Sequence, residues 1–165
     1  MQALTALGRY AVKIDHVAIA VPDLDKAIAF YELLGFQLVE RRTTTGTNTQ
    51  MVSAVLGAGA IIVVLVQGTA PDSQVNRYID AYGAGVQHIA IEVRDTAKLM
   101  TELREAGVEF STTLIQGRGI RQAFTARDRD SGMMYEFIER ESNDGAFTDD
   151  SVKDLFEQLE RSGAY

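Results

Sequence analysis

The chain contains two histidines, His16 and His88, and each sits in a copy of the same motif. Ile14-Asp15-His16-Val17-Ala18-Ile19-Ala20-Val21 aligns without a gap on Val86-Gln87-His88-Ile89-Ala90-Ile91-Glu92-Val93, an offset of 72 residues. The same offset pairs Asp23 with Asp95, Lys26 with Lys98 and Gly35 with Gly107. The match therefore runs through a strand, a helix start and a helix end. At 165 residues and 46% apolar content the chain is long enough for one good core and too short for two ordinary domains. The two copies are expected to be halves of one domain spanning 1–165.

Alternation and β-branched residues predict strands over Lys13–Ala20, Gln37–Thr43, Met51–Leu56 and Ala60–Gln67, and again over Gly85–Glu92, Phe110–Ile115, Arg121–Arg127 and Gly132–Glu139. After the first strand of each copy comes a helix with readable ends. Asp23 can cap the first, whose Leu24, Ala27, Ile28 and Tyr31 keep helical spacing, and Gly35 stops it; Asp95 and Gly107 do the same around Leu99, Met100 and Leu103. Each half reads strand, helix, three strands. This gives an α+β fold of two βαβββ modules, 13–67 and 85–140. A connecting helix over 73–82 carries Val75, Tyr78, Ile79 and Tyr82 on one stripe. A last helix over 151–161 carries Val152, Leu155, Phe156 and Leu159 in the same way. That final helix needs an apolar surface to cover, and the mouth of whatever the sheet encloses is the expected place.

The formal charge of −7 argues against nucleic acid as a partner, since phosphate binding needs a basic face. There is no cysteine, which rules out disulfides and thiolate metal sites. No secretory signal and no apolar run of membrane-spanning length is legible, so a soluble cytoplasmic protein without a membrane partner is the expectation. A homodimer is open as an assembly.

In the first strand His16, Ala18 and Ala20 fall on one face and Val17, Ile19 and Val21 on the other; His88, Ala90 and Glu92 repeat the pattern. If the halves pack about a pseudo-twofold axis, the imidazoles converge among small residues that leave room for a pocket. Glu136 is a carboxylate in the otherwise apolar run Met133-Met134-Tyr135-Glu136-Phe137-Ile138, a costly placement unless it is paired or bound to a metal. The alternative is an outward-facing carboxylate, as Glu139 and Glu141 nearby are read to be. The first-half counterpart of Glu136 is Val64. The duplication thus offers two histidines and one carboxylate, the facial set used for non-haem iron(II), although imidazole and carboxylate also suit zinc, manganese or nickel.

The two-copy strand-helix-three-strand pattern resembles the vicinal oxygen chelate superfamily of glyoxalases, dioxygenases and antibiotic-resistance proteins, whose modules curve one sheet around a metal site. Within it the chain is similar to the catalytic domain of the 4-hydroxyphenylpyruvate dioxygenase and hydroxymandelate synthase family from about Ile14 onward. The stretches that carry the likeness are Ile14-Asp15-His16-Val17, Ser53-Ala54-Val55-Leu56, Ser73-Gln74-Val75, Gly85-Val86-Gln87-His88-Ile89-Ala90, Gln122-Ala123-Phe124-Thr125 and Glu136-Phe137-Ile138-Glu139-Arg140. The resemblance implies Fe(II) held by His16, His88 and Glu136, with a 2-oxo acid and dioxygen as the small-molecule partners. It assigns Gln122, Gln87 and Ser53 to orienting the substrate and Gln74, Phe124 and Phe147 to the substrate pocket, with the helix 151–161 as a lid. Full-length members also carry an N-terminal domain of the same type, for which this sequence has no counterpart. The pocket wall departs from the family: Thr69 stands where an asparagine is usual, Met134 replaces a phenylalanine and Ala18 a valine. Two other readings stay open, a metal-dependent isomerase or lyase of the glyoxalase type and a metal-free binding protein of the resistance type.

Overall fold

The computed structural model describes residues 5–141 and 149–162. After a short helix α1 (Ala6–Tyr10), the first copy runs β1 (Ala11–Ala20), α2 (Leu24–Leu33), β2 (Gln37–Thr45), β3 (Gln50–Ala58) and β4 (Ile61–Gly68). Helix α3 (Gln74–Tyr82) leads to the second copy, β5 (Gly85–Val93), α4 (Thr96–Glu105), β6 (Ile115–Gly117), β7 (Ile120–Phe124) and β8 (Met134–Arg140), and α5 (Asp149–Ser162) follows. The capping residues act as the sequence predicts. Asp23 accepts from the Lys26 amide at 3.0 Å and Asp95 from that of Lys98 at 2.9 Å, satisfying amides that the first turn leaves unpaired. Gly35 and Gly107 take φ of +93° and +94°, a region open to glycine without steric cost, and each lies just past the end of its helix.

All eight strands form one curved sheet in the order β2-β3-β4-β1-β5-β8-β7-β6. β1 and β5 meet antiparallel at its centre, and each lies parallel to the last strand of its own half. The register shows the pseudo-twofold relation directly. His16 faces Ala90 and Ala18 faces His88, with Val17 opposite Ile89 between them. On the flanks Val64 pairs with Ala18, and Glu136 with Ala90. The equivalence of Val64 and Glu136 drawn from the offset is thus a fact of the ladder.

The two faces of the sheet are covered differently. Leu24 and Ile28 of α2 pack on Ala54, Leu56, Val63 and Leu65, and Leu99 of α4 packs with Val93 and Phe137. These residues alternate with the inward-facing ones, so the two repeat helices cover the outer face and leave the inner face to α3 and α5.

Two elements and one residue differ from expectation. The strand predicted over Phe110–Ile115 is reduced to Ile115–Gly117, with an isolated bridge from Phe110 to Thr125. There the Thr112 hydroxyl accepts from the Phe124 amide at 2.9 Å, so a side chain takes the place of a ladder carbonyl. Helix α1 was not foreseen; it is tied to α4 by Tyr10, whose hydroxyl donates to Glu102 at 2.8 Å. Glu139 is not a plain solvent residue, because it accepts from the Thr96 amide at 3.0 Å and so helps cap α4.

Candidate metal centre

The central strands carry His16 and His88 to the inner face, where both are buried beside fully buried Ala18, Ala20 and Ala90. Glu136 is 1% exposed and lies with them, which removes the outward-facing alternative. One ligand-type atom from each of the three residues falls within 4.8 Å of the others. Glu136 Oε2 lies 3.3 Å from His16 Nε2 and 3.4 Å from His88 Nε2. Neighbouring donors on bonds of about 2.1 Å at right angles to one another lie roughly 3 Å apart, so these spacings suit a common ion.

The outer nitrogens of the rings are occupied. His16 Nδ1 is 2.8 Å from Asp15 Oδ1, and Asp15 is itself gripped by Arg140 through Nε at 2.8 Å and Nη2 at 2.9 Å. His88 Nδ1 contacts the side-chain oxygen of Gln87. Acceptors at both Nδ1 positions direct the Nε2 atoms toward Glu136, as outer hydrogen bonds do for metal-binding imidazoles.

The charges follow the same geometry. Burial by itself would lower the pKa of His16, yet the Asp15 and Glu136 carboxylates outweigh it and raise it above the ordinary imidazole range. His88, with only an amide behind it, is lowered by burial. Burial would raise Glu136, but the two imidazoles hold it below the usual carboxylate range. Its Oε1 is buried without a hydrogen-bond partner among the described residues. A buried anion with one unsatisfied oxygen between two imidazoles fits a divalent cation.

Above the triad lies a cavity of about 790 Å³, counting its opening to solvent. Its walls are Ser53, Val55, Val64 and Val66 from the first half, Gln87 and Phe124 from the second, and Val152, Leu155, Phe156 and Leu159 of α5. The apolar stripe read from the last helix therefore faces the mouth of the sheet. Residues 13–137 match the profile of the Glyoxalase/Bleomycin resistance protein/Dioxygenase superfamily. The chain belongs to this superfamily.

Among superfamily members, 4-hydroxyphenylpyruvate dioxygenase of Legionella pneumophila is 33% identical over 110 residues, covering 63% of this chain and 32% of the relative. A mutant of 4-hydroxymandelate synthase from Streptomyces coelicolor superposes with a TM-score of 0.81 at 24% identity, over 93% of this chain and 55% of that one. A mutant of methylmalonyl-CoA epimerase from the same organism, in complex with 2-nitronate-propionyl-CoA, gives 0.66 at 26% identity, over 80% and 99%. The chain thus spans about a third of the curated dioxygenase and about half of the synthase.

Of the pocket residues expected from the resemblance, Ser53, Gln87 and Phe124 line the cavity, and the Phe124 ring stands edge-on to His88 with centroids 5.0 Å apart. Gln122 is fully buried, with neither end of its amide partnered among the described residues. Met134 is buried behind the lining against Phe124 and Leu159. Gln74 reaches across to α5, donating to the Phe156 carbonyl at 3.2 Å. Thr69 does not join them: it is exposed just beyond the end of β4, and its hydroxyl donates to the Gln50 carbonyl at 3.0 Å. Phe147 lies outside the described residues. Sequence reasoning missed Arg140 and gave Asp15 no role, although Asp15 sits beside His16 in the repeated motif. It also missed Glu40 and Arg42, which complete the cavity wall from β2. Their signal was a charged pair two residues apart on one strand face. No described helix is long and apolar enough to cross a membrane.

Proposed function

We propose that this chain is an Fe(II)-dependent dioxygenase that oxidatively decarboxylates and hydroxylates a 2-oxo acid. The observation that carries the reading is the three-donor set with a valine in the fourth place: Val64 occupies the ladder position equivalent to Glu136. His16, His88 and Glu136 would hold the ion from the sheet side and leave its cavity side to exogenous ligands. Bound Fe(II) supplies the dioxygen chemistry that no side chain here can perform. In balance, one atom of dioxygen enters the new carboxylate, the other enters a hydroxyl on the remainder of the molecule, and carbon dioxide leaves. The likeness to the Legionella dioxygenase supports this reading.

The protein residues have positioning and shielding roles. Gln87 and Ser53 line the cavity and offer hydrogen bonds to a bound acid, and Gln122 supplies a buried amide with capacity to spare. Phe124 flanks an apolar or aromatic side chain. Helix α5 excludes water. It is latched by Glu160, which accepts from the Thr47 and Thr49 amides at 3.0 and 2.8 Å, and by Gln158, which accepts from the Thr113 amide at 3.1 Å.

The likeness to methylmalonyl-CoA epimerase favours a second reading, proton transfer beside an acyl carbonyl. Val64, apolar at the position equivalent to Glu136, favours the first reading because it leaves the cavity side of the ion to exogenous ligands. Oxygen uptake by anaerobically Fe(II)-loaded protein, with 4-hydroxyphenylpyruvate and phenylpyruvate, separates the two. Substrate-dependent uptake with one carbon dioxide released per dioxygen is expected. Stoichiometric iron without uptake, together with solvent-proton exchange into an acyl-CoA, would replace the dioxygenase reading with the epimerase one.

A further inference from the structure

The cavity wall is mostly apolar, and at its edge it carries two charged residues that the triad does not use. Glu40 and Arg42 alternate with outward-facing residues on β2, the outermost strand of the first half. The ladder ties them to the centre. Glu40 is paired with Val55, Val55 with Val64, Val64 with Ala18 and Ala18 with His88, one cross-strand row over the inner face. Arg42 is paired with Ser53 in the next inward-facing row. A molecule anchored at the triad and extending along the cavity runs toward this pair.

A guanidinium facing an apolar cavity is costly unless it is held by counter-charges. The Arg42 side chain is 14% exposed and is held from two sides. Its Nη2 is 2.5 Å from Glu40 Oε1, and its Nε is 3.1 Å from Asp149 Oδ1 at the start of α5. A bridge between strand and helix alone would not need Glu40 and Arg42 to line the cavity, and both do.

Building on the 2-oxo acid reading, we infer that Arg42 and Glu40 form the specificity-determining end of the pocket and recognise a hydroxyl on the far end of the substrate. The guanidinium donates and the carboxylate accepts; a hydroxyl does both and matches the pair. A second carboxylate does not match, because Glu40 and Asp149 already surround the single positive charge. A bare hydrocarbon tail does not match either, because it would desolvate the pair without replacing its hydrogen bonds.

The test is anaerobic equilibrium binding of 4-hydroxyphenylpyruvate, phenylpyruvate and 4-carboxyphenylpyruvate to the Fe(II)-loaded protein, its R42M variant and its E40L variant. The wild type is expected to bind the hydroxylated acid roughly tenfold or more tighter than either of the others. R42M should bring that ratio close to one. E40L, which leaves the arginine in place, should reduce it too and serves if R42M does not fold. Equal wild-type binding of the hydroxylated and plain acids, or an unchanged ratio in the variants, overturns the inference and leaves the 2-oxo acid reading standing. Failure of all three acids to bind the wild type overturns both.

Discussion

The first half of the sheet presents His16 with Asp15 and Arg140 behind it, and Val64 beside Ala18. The second half presents His88 with Gln87 behind it, and Glu136 beside Ala90. Strand order, helix caps and the register of each first strand on its last are the same in both, so the backbone delivers equivalent positions to a common centre. What differs is the chemistry of a few side chains. A carboxylate in place of a valine turns a symmetric scaffold into a one-sided donor set, and a charged partner in place of an amide moves the two imidazoles in opposite directions. The site's chemistry comes from departures from the repeat, and its geometry from the repeat itself.

Restoring the symmetry should have the largest effect. Val64→Glu supplies the missing fourth donor, and it is expected to retain or tighten metal binding while reducing substrate-dependent oxygen uptake at least a hundredfold, because a protein ligand would take a position the substrate needs. Uptake near the wild-type rate in a metal-replete V64E protein would mean that the valine at this position is not what keeps the site open to substrate. Next come the groups behind the imidazoles. Asp15→Asn removes a charged partner and is expected to weaken metal affinity about 10- to 100-fold in a chelator competition, with a smaller loss for Gln87→Leu. Equal losses would mean that the charge behind His16 is immaterial. The smallest effects belong to the shared scaffold. Asp23→Ala and Asp95→Ala should each lower stability by about 1 kcal/mol in urea unfolding, with little difference between them.

Much of this was legible because a repeat reports on itself. The offset that matches His16 to His88 also matches Val64 to Glu136, and the ladder confirms both pairs. The last helix was legible because its apolar stripe had to cover something. Less legible was the orientation of Glu136: its neighbours Met134, Phe137 and Ile138 are all buried, so alternation along β8 gives no clean inner face. The β6 region failed for a local reason, the Thr112 hydroxyl replacing a backbone acceptor at the sheet edge. Thr69 was placed in the pocket by resemblance alone, and the turn after β4 carries it to the surface. Arg42 and Glu40 went unnoticed because exposed charge on an edge strand is ordinary, and only the curvature of the sheet brings them to the cavity.

His16, His88 and Glu136 together offer a divalent cation one three-donor site to which both halves contribute. Anaerobic Fe(II) titration with a competing chelator tests it, applied to the wild type and to His16→Ala, His88→Ala and Glu136→Ala, each checked for native fold by circular dichroism. One iron per wild-type chain and loss of tight binding in every variant are expected. Folded variants that keep the wild-type iron content would mean that these residues do not hold the ion.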